Sequence, residues 1–329
     1  MELNRLGDVV HALPAVHAFK EAIPDAVISM AVEQPHHELV SLMPSVDRVI
    51  EGGRTRTLAG LLKLIRQVRR ERFDLVCSLS PIRRNALLAR LSRGRYKAGY
   101  MTVWRRIPPY LRRTPVSARG FRLARKELYG FDHISTAASK VCVALGLSVS
   151  AGRIALRSAD HEPMPGNSYI VFHPFAGWKF REWPENLARE FLMGVLQSTD
   201  FSVVIIGDRT EERRARGLSA GADGTGRVQV RAGLAIPELM ELISRAAAFV
   251  GTDSGPYQLC ALLGKPAVGL FGPNSPEITG SRVDGSRILY HKLECSPCDQ
   301  RRCIRPGAAC MMQITPDEVL ITMRELIRR

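Results

Sequence analysis

A chain of 329 residues is longer than one hydrophobic core usually organises, so two domains are expected. Its 45% hydrophobic content with mixed charge is that of a globular protein, and no run of about 18 apolar residues is present, which argues against a spanning helix. The 47 Lys+Arg against 32 Asp+Glu leave a net charge of +15 and call for an anionic partner: nucleic acid, a phosphorylated substrate or an acidic membrane surface.

The chain opens with "RLGDVVHALPAV" (5–16), in which Gly7 and Asp8 stand just ahead of an expected amphipathic helix. The start lacks the basic and apolar regions of a secretory signal, so the cytoplasm is the expected location. "AVISMAV" (26–32), "DRVI" (47–50) and "DLVCSL" (74–79) read as strands. Between the last two, Leu58, Leu61, Leu62, Ile65 and Val68 recur at helical spacing and predict a surface helix with one apolar face. Residues 101–126 hold eight basic side chains and no acid. No nucleic-acid-binding module lies beside them, so nucleic acid is not an expected partner. "SADHEPMPGNS" (158–168) reads as a linker.

The second half supplies strands at "YIVFHP" (169–174), "SVVIIG" (202–207), "VQV" (228–230), "AAFVG" (247–251) and "PAVGLFG" (266–272), with helical stretches between them. Such alternation means βαβ units and parallel sheets. The expected class is α/β, two domains facing across a cleft, with ligands at the carboxyl ends of strands.

Three further corners carry chemistry. "FHPFAGWKFREWPENL" (172–187) leaves a strand, crosses a loop bearing Lys179 and Arg181, and enters a helix. "IIGDRTEERRA" (205–215) sets Glu211 and Glu212 at a helix start. "GTDSGPYQL" (251–259) brings Asp253, Ser254, Gly255 and Pro256 to a helix N-terminus, where free N–H groups and the helix dipole suit a phosphate. Each has a plain reading as a helix cap or a solvated charge. Their joint placement at the edges of parallel sheets favours a ligand.

In this order the motifs "GDVVHALPAV", "HPFAGWKFREWP", "GDRTEE" and "GTDSGPYQLCALLGKPAVGLFGP" resemble glycosyltransferase family 9, the ADP-heptose:lipopolysaccharide heptosyltransferases, over nearly the whole chain. The tail "ECSPCDQRRCIRPGAACMMQITPDEV" is most similar to heptosyltransferases of the second type. The resemblance implies a GT-B fold, with an acceptor-binding Rossmann-like domain over 1–158 and a nucleotide-sugar-binding one over 159–329. The last helix is a candidate to pack back on the first domain.

It also implies an inverting single displacement that needs a general base and cations for a diphosphate leaving group. Asp8 falls at the base, and Arg181, with Lys179 as a second candidate, at the cation. Glu211 falls at the ribose, where a bidentate acceptor is wanted, and Asp253, Ser254, Gly255, Pro256 and Gln258 at the donor's diphosphate. Arg83 and Arg84, together with the basic 101–126 stretch, fall to an anionic lipopolysaccharide core acceptor presented at the inner membrane face. The implied partners are ADP-heptose, that acceptor and the membrane surface.

There is no Asp-x-Asp triplet, so neither a bridging metal nor any other cofactor is expected. The absence of GxGxxG and Walker A runs removes dehydrogenase and P-loop readings. Cys295, Cys298, Cys303 and Cys310 are spaced unlike a standard zinc ribbon or finger and read as a structural loop near the cleft, with metal binding as the lesser alternative. Two features depart from the family. Gln258 stands where His is usual, and only "MELNRL" precedes Gly7 where the family has an apolar strand, so an upstream start or a missing first strand is expected. These departures leave a relative with another sugar or acceptor, or a non-catalytic one, as alternatives.

Overall fold

The computed structural model describes residues 6–51, 58–79, 83–99, 141–143, 145–147, 168–298, 303–305 and 309–328. The chain forms two compact units, Met1–Ser158 and Ala159–Arg329.

The first unit begins with α1 (Leu6–Ala22), which takes Gly7 and Asp8 into its first turn rather than leaving them ahead of it. Nor is α1 amphipathic. Val9 through Leu13, Ala15, Val16 and Ala18 are all buried, so the helix is enclosed on nearly every side, as a helix apolar all round must be. β1 (Ser29–Val32), α2 (His37–Ser41) and β2 (Arg48–Glu51) follow, the two strands pairing in parallel with Ser29 opposite Arg48. α3 (Leu58–Arg70) buries Leu64 and Val68 and packs Leu61 and Ile65 beside them. Leu62 was expected on this face but is 42% exposed, because a step of 100° per residue turns it away from the line Leu61–Leu64–Val68.

β3 (Phe73–Ser78), α4 (Arg83–Leu91) and β4 (Gly94–Gly99) complete the described part of this unit, with Phe73 opposite Gly94. "GRYKAG" has too little apolar alternation to announce β4. Arg83 and Arg84 open α4, but their side chains, the basic 101–126 stretch and the linker up to residue 167 lie outside the described residues.

The second unit holds β5 (Tyr169–His173), α5 (Glu185–Ser198), β6 (Ser202–Gly207), α6 (Glu212–Ser219), β7 (Val228–Ala232), α7 (Ile236–Arg245), β8 (Ala248–Thr252), α8 (Gly255–Leu262), β9 (Ala267–Phe271), α9 (Pro276–Thr279), β10 (Arg287–Tyr290), α10 (Ala309–Met312) and α11 (Pro316–Ile327). Its six strands form one parallel sheet in the order β10-β9-β8-β5-β6-β7. That is the doubly wound order, with the reversal between β5 and β8. The near-continuous apolar runs of β5, β6, β8 and β9 are those of strands covered on both faces. α11 packs on α5 and β9 of its own unit, placing Val319 and Met323 in the core with Phe191 and Val195. Among the described residues no helix is long and apolar enough to cross a membrane.

Candidate active site

Three of the four sequence corners meet at one edge of the second unit's sheet. β8, β5 and β6 are neighbours, so their carboxyl ends bring Asp253, His173 and Gly207 side by side at the switch point. In such sheets this crevice is where ligands bind.

The loop after β5 is fixed by Trp183. Its ring is buried against Phe172 and Phe191, its backbone N–H donates to Pro174 O (2.9 Å) and its Nε1–H to Ile314 O (3.1 Å). The anchored loop turns through a 3₁₀ segment, Lys179–Arg181, which directs Arg181 to the β8 corner. There Arg181 Nη1 lies 2.9 Å from Asp253 Oδ2 and 3.5 Å from the Asp253 backbone oxygen. Lys179 is exposed on the same turn.

Neither Asp253 nor Ser254 caps α8. Ser254 occupies the N-cap position, yet its side chain makes no cap hydrogen bond; its Oγ lies 3.0 Å from His173 Nδ1 instead. Asp253, buried, accepts from Arg181, from Asn274 Nδ2 (2.8 Å, Oδ2) and from Gln258 Nε2 (3.4 Å, Oδ1). The first turn of α8, with Pro256 inside it, therefore has no side chain of its own at its N-terminus, and the plain capping reading fails. An anion placed there meets N–H groups, the helix dipole and the Arg181 guanidinium.

Glu211 is set by a reciprocal arrangement with Asp208. Asp208 Oδ1 accepts from the backbone N–H groups of Thr210 (2.7 Å) and Glu211 (3.0 Å), and Glu211 Oε2 accepts from Asp208 N–H (2.8 Å). A Cβ at Gly207 would come within 3.0 Å of Glu211 Cβ and 3.1 Å of Oε2, so a side chain there would push Glu211 back by a few tenths of an ångström. Oε2 is thus engaged within the corner by the Asp208 N–H. His173 Nε2 lies 3.9 Å from Glu211 Oε2 and thereby links the β6 corner to Ser254.

A sequence model of glycosyltransferase family 9 (heptosyltransferase) matches residues 61–309, three quarters of the chain. The chain belongs to glycosyltransferase family 9. It is an enzyme of the glycosyltransferase class. Among relatives, lipopolysaccharide heptosyltransferase 1 of Pseudomonas aeruginosa is 27% identical over 315 residues, covering 92% of this chain and 86% of the relative. Lipopolysaccharide heptosyltransferase 2 of Salmonella typhimurium is 24% identical over 343 residues, covering 98% and 96%. The solved structure of E. coli heptosyltransferase WaaC with ADP superimposes with a TM-score of 0.74 at 22% identity, covering 99% of this chain and all of that one. The GT-B architecture expected from the motifs is the fold of these structures.

For a family 9 enzyme the Gln258 departure now has a structural account. Gln258 is buried, and its Nε2 donates to Thr279 O (2.7 Å) as well as toward Asp253. It braces the corner from behind. Sequence reasoning missed two residues here, His173 and Asn274. His173 ends a strand at a corner already suspected, which was a usable signal. Asn274 lies twenty-one residues beyond Asp253 and reaches it only through the β9–α9 turn, so local sequence carried none.

Arg214 forms a fork with Glu182 (2.9 Å) and Glu185 (2.7 Å) over the Phe175 ring, and these hydrogen bonds raise its pKa further. It ties α6 to the Trp183 loop. Cys310 is buried beneath Gly272, and burial pushes its thiol pKa up. Cys298 N–H donates to Pro273 O (3.0 Å), so the cysteine-rich tail supports the turn carrying Asn274. Among the described residues no three His, Cys, Asp or Glu side chains are placed to hold a metal ion. Gly7 and Asp8 stand in the first turn of α1 in the first unit, with Asp8 partly buried.

Proposed function

We propose that this enzyme transfers heptose from ADP-heptose to the inner core of lipopolysaccharide, by a single displacement with inversion. The observation that carries the proposal is the uncapped N-terminus of α8 beside the Arg181–Asp253 pair at the sheet's switch point. In this reading the diphosphate sits on the N–H groups following Ser254, and Arg181, with Lys179 beyond it, meets the charge that develops as ADP leaves. Glu211 accepts from the ribose. Asp253, Gln258 and Asn274 hold the guanidinium in place without touching the donor.

Asp8 in the first unit is the general base for the acceptor hydroxyl. Arg83, Arg84 and the basic 101–126 stretch serve the anionic acceptor, and the enzyme works at the cytoplasmic face of the inner membrane. Support comes from the names of relatives, the lipopolysaccharide heptosyltransferases, and from the E. coli WaaC structure with ADP-2-deoxy-2-fluoro heptose.

The test is transfer to heptose-deficient lipopolysaccharide by the purified chain, with ADP-heptose and other nucleotide-sugars as donors. The expected result is turnover with ADP-heptose that Asp8→Ala abolishes, and tighter binding of ADP than UDP. Full turnover by Asp8→Ala removes the assigned base. Preference for another donor assigns the α8 corner to a different nucleotide-sugar.

A further inference from the structure

A hollow of about 460 Å³ opens at the amino ends of β3 and β4, lined by Arg72, Phe73, Asp74, Arg93 and Arg95. The parallel register that sets Phe73 opposite Gly94 and Leu75 opposite Tyr96 aligns Arg72 with Arg93 and Asp74 with Arg95. With alternation of two along each strand, all four side chains fall on one face. Arg72, Asp74, Arg93 and Arg95 are exposed, and among the described residues none of the three arginines is ion-paired. Arg95 only packs over the Tyr96 ring, 5.3 Å from its centroid. The last turn of α3, two residues upstream of Arg72, adds exposed Arg69 and Arg70. Three arginines thus line the hollow and two more end the helix that precedes it, with Glu71 and Asp74 as the acids among them.

This corner lies at the opposite end of the β3–β4 pair from Ser78 and Gly99, whose edge leads toward α4. It is therefore separate from the carboxyl edge, where α/β sheets take their substrates. Five spread, exposed cations do not converge on one small anion. They suit phosphoryl groups arrayed on a surface, and each exposed guanidinium can fork onto one.

We propose that this hollow is a docking surface for the headgroup phosphates of anionic phospholipids, holding the first unit against a bilayer. The inference rests on the reading that the enzyme meets its lipopolysaccharide acceptor at the inner membrane face, and adds the surface that brings it there. A net charge of +15 gives the attraction its range.

The experiment is co-sedimentation of the full chain with phosphatidylglycerol-containing vesicles and with pure phosphatidylcholine vesicles. Wild type is compared with the triple variant Arg72→Gln/Arg93→Gln/Arg95→Gln and with an equal-charge reference, Arg213→Gln/Lys292→Gln/Arg328→Gln, on exposed positions of the second unit. The expected result is binding to anionic vesicles only, weakened on the order of a hundredfold in the hollow variant and near wild type in the reference. Transfer to a deacylated, soluble acceptor stays unchanged in the hollow variant, showing that it is folded.

Equal vesicle binding by the hollow variant and wild type overturns the surface. Equal loss in the two triples reduces the effect to net charge and overturns it as well. Displacement by millimolar inorganic phosphate at constant ionic strength assigns a free-anion site instead. Absence of transfer by wild type, with the vesicle pattern intact, sinks the heptosyltransferase reading and leaves the docking surface standing.

Discussion

Arg181 reaches Asp253 through both side chain and backbone, Nη1 lying 2.9 Å from Oδ2 and 3.5 Å from the carbonyl oxygen. The carboxylate has a second and third donor in Asn274 and Gln258, so its role is to hold the cation. Arg181→Ala should lower kcat about 10²–10³-fold, the scale for losing one donor to developing charge. Arg181→Lys should recover only part of this, since a point charge cannot keep both contacts. Steady-state kinetics with ADP-heptose checks both, and wild-type kcat in the Ala variant would remove Arg181 from the leaving-group site.

Asn274 donates through one nitrogen to Asp253 Oδ2 and Thr279 Oγ1, both at 2.8 Å. Asn274→Ala removes a donor, while Asn274→Asp sets a second carboxylate against the first. The Asp variant should therefore be the worse of the two despite its matching size. Like charges this close favour protonation of one partner, so its deficit relative to Asn274→Ala should shrink as pH falls from 8 to 6. Rate profiles over that range, normalised to wild type, decide the point. A deficit independent of pH would mean the damage is steric.

The Glu211–Asp208 box predicts a binding defect rather than a chemical one. Glu211→Gln keeps the shape but replaces a charged acceptor and weakens the hold on Asp208 N–H. KM for the donor should rise about 10–100-fold with kcat little changed, the size expected for one hydrogen bond to a charged group. A matching fall in kcat alone would place Glu211 at the reacting centre.

The sheet of the second unit was legible because strands buried on both faces are long apolar runs, and because Gly, Pro and Asp mark their exits. β10 and β4 escaped because "RILY" is only four residues long and "GRYKAG" sets Arg, Lys and two glycines where an apolar run would stand. Asp253, Ser254 and Arg181 were found in sequence, but not their wiring. Local reading made Asp253 and Ser254 helix caps or ligand contacts. Neither caps the helix: tertiary contacts tie Ser254 to His173, eighty-one residues away, and Asp253 to Arg181, seventy-two away. α1 was misjudged for a related reason: "VVHALPAV" alternates enough to look one-sided, yet the fold encloses it.

Gly269 tests how tightly the donor-side core is packed. A Cβ there would stand 2.8 Å from the Cε2, Cζ and Oη atoms of Tyr257. That ring is held between Phe249 and Phe271, and its hydroxyl accepts from Ser281 N–H at 2.9 Å. Gly269→Ala should destabilise the protein by about 1–3 kcal/mol, the usual cost of overpacking. Thermal unfolding should shift down by about 2–4 °C per kcal/mol for a unit of this size. An unchanged Tm would show that Tyr257 can move.

The seven cysteines separate by environment, and thiol labelling can read this. Burial pushes the Cys77 thiol up to about 11 and the Cys142 thiol up to about 12, with Cys77 itself adding to the latter shift; Cys260 is raised further, also by burial. Since the thiolate is the nucleophile, raising a pKa from 9 to about 12 cuts its fraction at pH 8 about a thousandfold. Native protein at pH 8 should therefore label first at Cys295, Cys298 and Cys303, more slowly at Cys77, which is partly exposed like them but has its thiol pushed up, and at buried Cys142 and Cys260 only on unfolding. The same shifts bear on stability. A thiol whose folded pKa is raised binds its proton more tightly when folded, so its contribution is complete below pH 9 and is lost as the pH climbs through the folded value. Cys77 and Cys142 should each favour unfolding as pH rises from 9 toward 11 or 12. Replacing Cys142 by Ala should flatten that decline, and rapid native labelling of Cys142 would show that the α1 side of the first unit is open to solvent.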